Sequence, residues 1–192
     1  MAVPVEWRRM LVERTGASLA GASLAGASLG GASLGGASLA GDELRAGGAK
    51  FWLRDWGPEW TGKWLELHRQ VFVPPGGPAW TESRFTREFT RCAWWWPDRL
   101  VLVGTHDRLI GTVAWVGPVA PVMAINWLAV DPDYRGRGIG RALVVEVERR
   151  AAAAGVREVR ATTLDVWRPA MGLYRKLGYQ PVAELPPGVF EG

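Results

Sequence analysis

Cysteine is almost missing from this 192-residue chain. Cys92 stands alone, which excludes an intrachain disulfide and a metal site built on several thiolates. A single free thiol fits a reducing, cytoplasmic setting. Lysine is scarce too: only Lys50, Lys63 and Lys176 are present, so the basic side of the charge balance is nearly all arginine. Charge of neither sign dominates, with 23 Lys+Arg against 19 Asp+Glu and a formal net charge of +4. That balance does not call for a nucleic-acid partner, and it favours anionic ligands over polycations. A secretory leader is also missing from the visible N-terminus: Arg8 and Arg9 are followed only by Met10, Leu11 and Val12 before Glu13 and Arg14 intervene. The uncharged run 16–41 is long enough to cross a bilayer, but it is made mostly of Gly, Ala and Ser with one Leu per five residues. Such a run is too weakly apolar for a span, and no membrane partner is expected.

What is present is a hydrophobic content of 48%, normal for a folded protein, together with 25 glycines and 12 tryptophans. Residues 16–40 are five copies of one pentapeptide: GASLA, GASLA, GASLG, GASLG, GASLA. A period of five fits neither a helix nor a strand, so Leu19, Leu24, Leu29, Leu34 and Leu39 form no stripe. The run reads as a flexible, low-complexity linker. The other reading follows from a resemblance to pentapeptide-repeat proteins, whose square β-helices carry an inward Leu in each repeat. Residues 1–48 are therefore expected to be an N-terminal extension, and 49–192 a single α/β domain.

Within that domain, 49–56 reads as a strand ended by Gly57-Pro58. Trp60, Trp64, Leu67 and Val71 follow at helical spacing, and the Pro74–Gly77 cluster stops the helix. Thr81 is placed to cap a second helix with Phe85, Phe89 and Cys92 on its apolar face. Strands are expected at 99–104 and 109–116. Residues 122–130 are almost continuously apolar, which predicts a strand buried on both faces. A helix over 139–154 ends at Gly155, a strand covers 156–163, a helix opens at Pro169 and stops at Gly178, and a last strand covers 179–185.

The informative stretch joins the 122–130 strand to the 139–154 helix: Val130-Asp131-Pro132-Asp133-Tyr134-Arg135-Gly136-Arg137-Gly138-Ile139-Gly140-Arg141. Free N–H groups at a helix start attract anions, and glycines let the backbone approach a pyrophosphate closely. Arg135, Arg137 and Arg141 add positive charge. The spacing is not that of a dinucleotide fingerprint or of a P-loop. Arg135-X-X-Gly138-X-Gly140 after Leu-Ala-Val-Asp-Pro instead resembles the acyl-CoA signature of the GCN5-related N-acetyltransferase (GNAT) superfamily. The stretch Pro169-Ala170-Met171-Gly172-Leu173-Tyr174-Arg175-Lys176-Leu177-Gly178-Tyr179 is similar to that superfamily's C-terminal helix. The resemblance covers nearly all of 50–192 and implies a GNAT-like acyl-CoA N-acyltransferase fold, a mixed central sheet flanked by helices.

The resemblance further implies acetyl-CoA as co-substrate and direct attack on its thioester by a primary amine of a small molecule or peptide, with no metal. By position, Arg135, Gly136, Arg137, Gly138, Gly140 and Arg141 would hold the pyrophosphate, and the main chain of Leu128 and Val130 would pair with the pantetheine arm. Tyr174 would protonate the leaving thiolate: a phenol with a reference pKa of about 10 stays protonated where a thiol of about 8.5 does not. Tyr179 reads as core. Two departures stand out. Trp167 replaces an asparagine common in the superfamily three residues before the Ala170 position, and the 122–130 strand carries no carboxylate to serve as base. Asp165 is the first candidate for that role, with Glu82, His68 and His106 behind it and a water chain as the alternative.

Eight of the 12 tryptophans lie in 50–96, including Trp94-Trp95-Trp96. They read either as an aromatic acceptor pocket or as core packing. The expected activity is N-acetyl transfer to an amine. The rivals are a non-catalytic acyl-CoA sensor and an interaction protein acting through the repeat. On the 49–192 reading, an enzyme would keep its activity without 1–48. The assembly state, monomer or homodimer, is left open by the sequence.

Overall fold

A computed structural model of the protein describes residues 4–11, 37–40, 42–74, 76–117 and 121–182. Most of the pentapeptide run lies outside the described residues. The strands are β1 (Pro4–Met10), β2 (Ala37–Ala40), β3 (Glu43–Ala46), β4 (Ala49–Asp55), β5 (Leu100–Gly104), β6 (Leu109–Val116), β7 (Val122–Val130), β8 (Glu158–Leu164) and β9 (Gln180–Pro181). The helices are α1 (Thr61–Phe72), α2 (Glu82–Glu88), α3 (Ile139–Ala153) and α4 (Arg168–Lys176). Among the described residues, all the strands join one mixed sheet in the order β2-β3-β4-β5-β6-β7-β8-β1-β9. Pairing is antiparallel except between β7 and β8. The fold is the expected α/β one.

The sheet separates two cores. Alternate residues of a strand point to opposite faces. On β5, Val101 and Val103 join Leu143, Val147, Met171 and Tyr174 beneath α3 and α4. Leu100 and Leu102 join Trp64, Leu67, Phe85 and Phe89 beneath α1 and α2. The helix ends follow local chemistry. Thr81 caps α2 as the sequence suggests, its hydroxyl oxygen accepting from the Arg84 N–H at 3.2 Å. Cys92 falls in the turns after that helix rather than on its face. Gly155 takes φ +77° just past α3.

Three strands precede the boundary expected at residue 49. β1 inserts between β8 and β9, antiparallel to both, with Pro4 opposite Leu164 and Met10 opposite Glu158. Trp7 on β1 is fully buried in the α3/α4 core. The last copy of the pentapeptide supplies β2, which hairpins onto β3. The charges of β1 conceal its strand character, because they are satisfied inside the fold. Glu6 is buried against Arg160 at 3.3 Å, and Arg9 lies 3.0 Å from the nearly buried Glu148 of α3.

β7 also differs from expectation. It is not buried on both faces: most of its residues keep partial exposure, whereas β6 is buried almost throughout. The reason is geometric. β7 and β8 pair only as far as Ile125 opposite Ala161 and then separate, so the outer half of β7 borders open space. Among the described residues, no helix is long and apolar enough to cross a membrane.

Candidate active site

The opening between β7 and β8 is sharpened by a bulge. Thr112 on β6 faces Ala129, but Ala114 faces Asn126, so β7 holds one extra residue there. Trp127 takes it up with φ +55°, a left-handed value costly for a bulky side chain. The strain re-aims the strand, and its outer half has no neighbour on the β8 side.

Two adjoining clefts follow. The larger, about 730 Å³, lies between β7, the start of α3 and the first turns of α4. Leu128, Val130, Arg135, Gly136, Gly138, Gly140 and Arg141 all line it. Arg137 does not. Its guanidinium donates to the Asp133 carbonyl and lies 5.0 Å over the Tyr134 ring, while its aliphatic stem packs by Gly47 in the β3–β4 turn. Gly136 at φ +76° and Gly138 at φ +86° give the loop a shape that L side chains resist. Gly138 is the N-cap of α3, so that helix presents free N–H groups and the positive end of its dipole to the cleft. Arg135 Nε donates to the Val130 carbonyl at 3.0 Å, folding the loop back onto the end of β7.

The loop is anchored by a residue whose role the sequence did not disclose. Asp131 is buried, caps the turn over Pro132–Tyr134 through its bond from the Asp133 N–H at 3.0 Å, and accepts a second bond from Arg108 of the β5–β6 turn. The Asp131 carboxylate in turn holds the Arg108 guanidinium above its ordinary pKa.

The smaller cleft, about 280 Å³, fills the gap between the splayed ends of β7 and β8. Tyr174 of α4 sits at its base, buried between Trp7 and Tyr179 at ring separations of 6.3 and 5.3 Å. Burial drives its hydroxyl well above the ordinary phenol pKa, so it is held as a proton donor. Trp167, at the N-cap of α4, lines both clefts and is 40% exposed at their mouth.

The candidate bases are dispersed. Asp165 stands half-buried in the turn after β8, and Val166 and Trp167 rather than Asp165 form the cleft wall. Glu82 is exposed on the first turn of α2, and His106 is exposed in the β5–β6 turn. His68 is 3% exposed, with neither ring nitrogen hydrogen-bonded. It is enclosed by Trp64, Phe72, Trp80 and Trp127 at 4.7 to 5.3 Å. Burial, with Arg84 adding to it, pulls its pKa from 6.5 down to about 4. Among the described residues, neither cleft has a carboxylate or an imidazole in its lining. Among the described residues, no three His, Cys, Asp or Glu side chains converge as a metal site.

A strand splayed from its parallel neighbour, a glycine-shaped loop at a helix start and a buried tyrosine opposite define a fold and site of the acyltransferase class. The chain belongs to the acetyltransferase (GNAT) family, whose model matches residues 50–179. An acetyltransferase of Pectobacterium atrosepticum is 29% identical over 86 residues, covering 45% of this chain and 60% of that one. The N-alpha-acetyltransferase RimI of Mycobacterium tuberculosis is 30% identical over 129 residues, covering 61% and 70%. Aminoglycoside N-acetyltransferase AAC(6')-Iy, solved in complex with CoA, shares the fold at a TM-score of 0.56 and 18% identity, over 71% of this chain and 91% of that one. The chain spans less than two thirds of several curated relatives, including 37% of human N-acetyltransferase 8B.

Proposed function

We propose that the protein transfers an acetyl group from acetyl-CoA to a primary amine within a ternary complex. The observation that carries the reading is the convergence of the glycine loop, the free edge of β7 and Tyr174 on two adjoining clefts. The backbone N–H groups of the Arg135–Arg141 loop hold the pyrophosphate, with Arg135 and Arg141 supplying charge from the cleft wall. Arg137 contributes its N–H and braces the loop from behind. The main chain of Leu128 and Val130 pairs with the pantetheine amides as one strand pairs with another. For Val130 this requires its carbonyl to exchange the Arg135 side chain for the ligand.

The thioester then lies where the two clefts meet. The amine nitrogen attacks its carbonyl carbon, a C–N bond forms, the C–S bond breaks, and Tyr174 gives its proton to the departing thiolate. The excess proton on nitrogen leaves by water, with Asp165 as the receiving carboxylate next to the cleft wall.

The test is acetyl-CoA binding by calorimetry, using the whole chain because three strands precede residue 49. Saturable one-to-one binding that weakens about 10- to 100-fold in Gly138→Val supports the site, and no binding by the folded native chain overturns it. Tyr174→Phe then lowers kcat by about 100-fold or more while the acetyl-CoA Kd stays within about twofold. A second reading, acyl-CoA sensing without turnover, draws on the lack of a base in the cleft lining. Thiol release with no amine in a broad panel would favour it.

A further inference from the structure

Six of the residues around the smaller cleft decide what can enter it. Phe72 of α1, Trp127 at the β7 bulge and Trp167 at the start of α4 supply ring walls, with Phe72 5.8 Å from Trp127 and 5.6 Å from Trp167. Asn126, Thr162 and Thr163 supply the polar groups, and among the described residues no charged side chain lines the cleft. Thr163 is 4% exposed and its hydroxyl has no hydrogen-bond partner among the described residues. A buried, unpartnered hydroxyl beside a cleft has bonding capacity left for a water or a ligand group that reaches it.

Resting on the acetyl-transfer reading above, we propose that the acceptor is an aromatic monoamine, a flat ring bearing one primary amine and no second charge. Three arguments converge. Size comes first: 280 Å³ lies near the lower limit of small-molecule sites, enough for one ring system and too little for an aminoglycoside. Charge comes second. A polyamine or a basic peptide would bring several cations into a cleft whose lining, among the described residues, holds no carboxylate to pair with them. Burying an unpaired cation there is costly. Shape comes third: Trp127 meets Phe72 nearly edge-on at 82° and Trp167 meets it at a 44° tilt, and a wall made of three rings favours a planar guest that stacks on one face and meets another ring by its edge.

The same surroundings bear on the missing base. An apolar, ring-lined cleft disfavours the ammonium and favours the free amine, the form that attacks. An amine attached directly to a ring is already neutral at pH 7. The balance is complete without a further reactant: the amine gains the acetyl group and loses one proton through water to Asp165 and solvent, the CoA sulfur gains the proton of Tyr174, and Tyr174 takes one proton back from solvent, so no net proton is gained or lost. Thr163 Oγ1 and the Asn126 amide orient the nitrogen; both are positioning groups.

The experiment is thiol release by the full chain with acetyl-CoA and a fixed panel: phenethylamine, tryptamine and 4-methoxyaniline against spermidine, kanamycin and a short lysine peptide. The expected result is a kcat/KM at least tenfold higher for the best aromatic monoamine than for any of the last three. Thr163→Val should raise KM for that amine by about three- to tenfold, and Phe72→Leu by more, with circular dichroism and the unfolding midpoint reporting that the variants fold. Preference for spermidine, kanamycin or the peptide, with acetyl-CoA binding intact, overturns this proposal and leaves acetyl transfer standing. Failure to bind acetyl-CoA at all overturns the reading beneath it. If acetyl-CoA binds and nothing turns over, calorimetric titration of the three aromatic amines into the CoA-saturated chain decides. Absence of binding there overturns the proposal.

Discussion

On the α3 side of the cleft the groups presented by the wall are backbone N–H groups, set in place by glycines at φ +76° and +86° and by the start of a helix. On the α1 side they are ring faces: Phe72, Trp127 and Trp167, backed by Trp64, Trp80 and His68. The first wall is a local conformation and fits in a dozen consecutive residues. The second exists only when residues from α1, β7 and α4 are brought together. A wall of backbone tolerates side-chain exchange at most positions, the positive-φ glycines and the buried anchor Asp131 being the exceptions. A wall of packed rings tolerates little, because each ring supports the next.

The largest expected effect reaches both walls at once. Trp7 is fully buried and its ring lies 6.3 Å from Tyr174, so Trp7→Ala should cost about 3–5 kcal/mol of unfolding free energy in urea titrations. Removing residues 1–48 goes further, taking β1 from between β8 and β9 together with β2 and β3 at the opposite edge, and should leave no soluble, cooperatively folding domain. A soluble and active 49–192 fragment would show that the walls stand without it.

Next comes the backbone wall alone. Gly138→Val forces a β-branched residue to φ +86°, a strain of about 1–3 kcal/mol. It should weaken acetyl-CoA binding about 10- to 100-fold by calorimetry and leave tryptophan fluorescence unaltered. By contrast, Gly140 lies outside the positive-φ set, and an added methyl there would sit 3.5 Å from Val130 and 3.6 Å from Leu173, ordinary contact distances. Gly140→Ala should therefore bind acetyl-CoA within a few-fold of the native chain.

The ring wall has its own signature in pH. His68 holds a pKa of about 4 in the fold against 6.5 in the open chain. Between those values the unfolded chain takes up a proton that the folded chain refuses. Stability is therefore full above pH 6.5 and drains as pH falls toward 4. His68→Phe removes the titrating group and two unpartnered nitrogens, and should flatten that part of the stability–pH curve. A curve of unchanged slope would mean that His68 is protonated in the fold. The smallest effect is at the rim of the same wall. Thr81→Ala loses the cap of the helix that carries Phe85, for about 1 kcal/mol in the same titrations.

This contrast explains what could be read from the residues. The loop at Arg135–Arg141, the Tyr174 helix, the Thr81 cap and the strands from residue 49 onward are short-range patterns, and each is legible as such. β1 was not, because buried strands are recognised by apolar alternation and its Glu6 and Arg9 are charged. Only the distant Arg160 and Glu148 make them interior residues. The opening of β7 was hidden for a related reason. Its run of apolar residues looks alike whether the second face meets a helix or borders a cleft, and the bulge at Trp127 leaves no mark in composition. Thr163 and Asp131 acquire their meaning from partners, missing or present, that lie far along the chain.

The position of β1 also sets a schedule for assembly. Its neighbours in the sheet are about 150 residues downstream. At a synthesis rate of about 5–20 residues per second, β1 waits roughly 8–30 s after its own synthesis for the strand it must pair with. During that wait Trp7 has no core to enter, and its strand has two unpaired edges. Two chains growing side by side could exchange this strand, each completing the other's sheet.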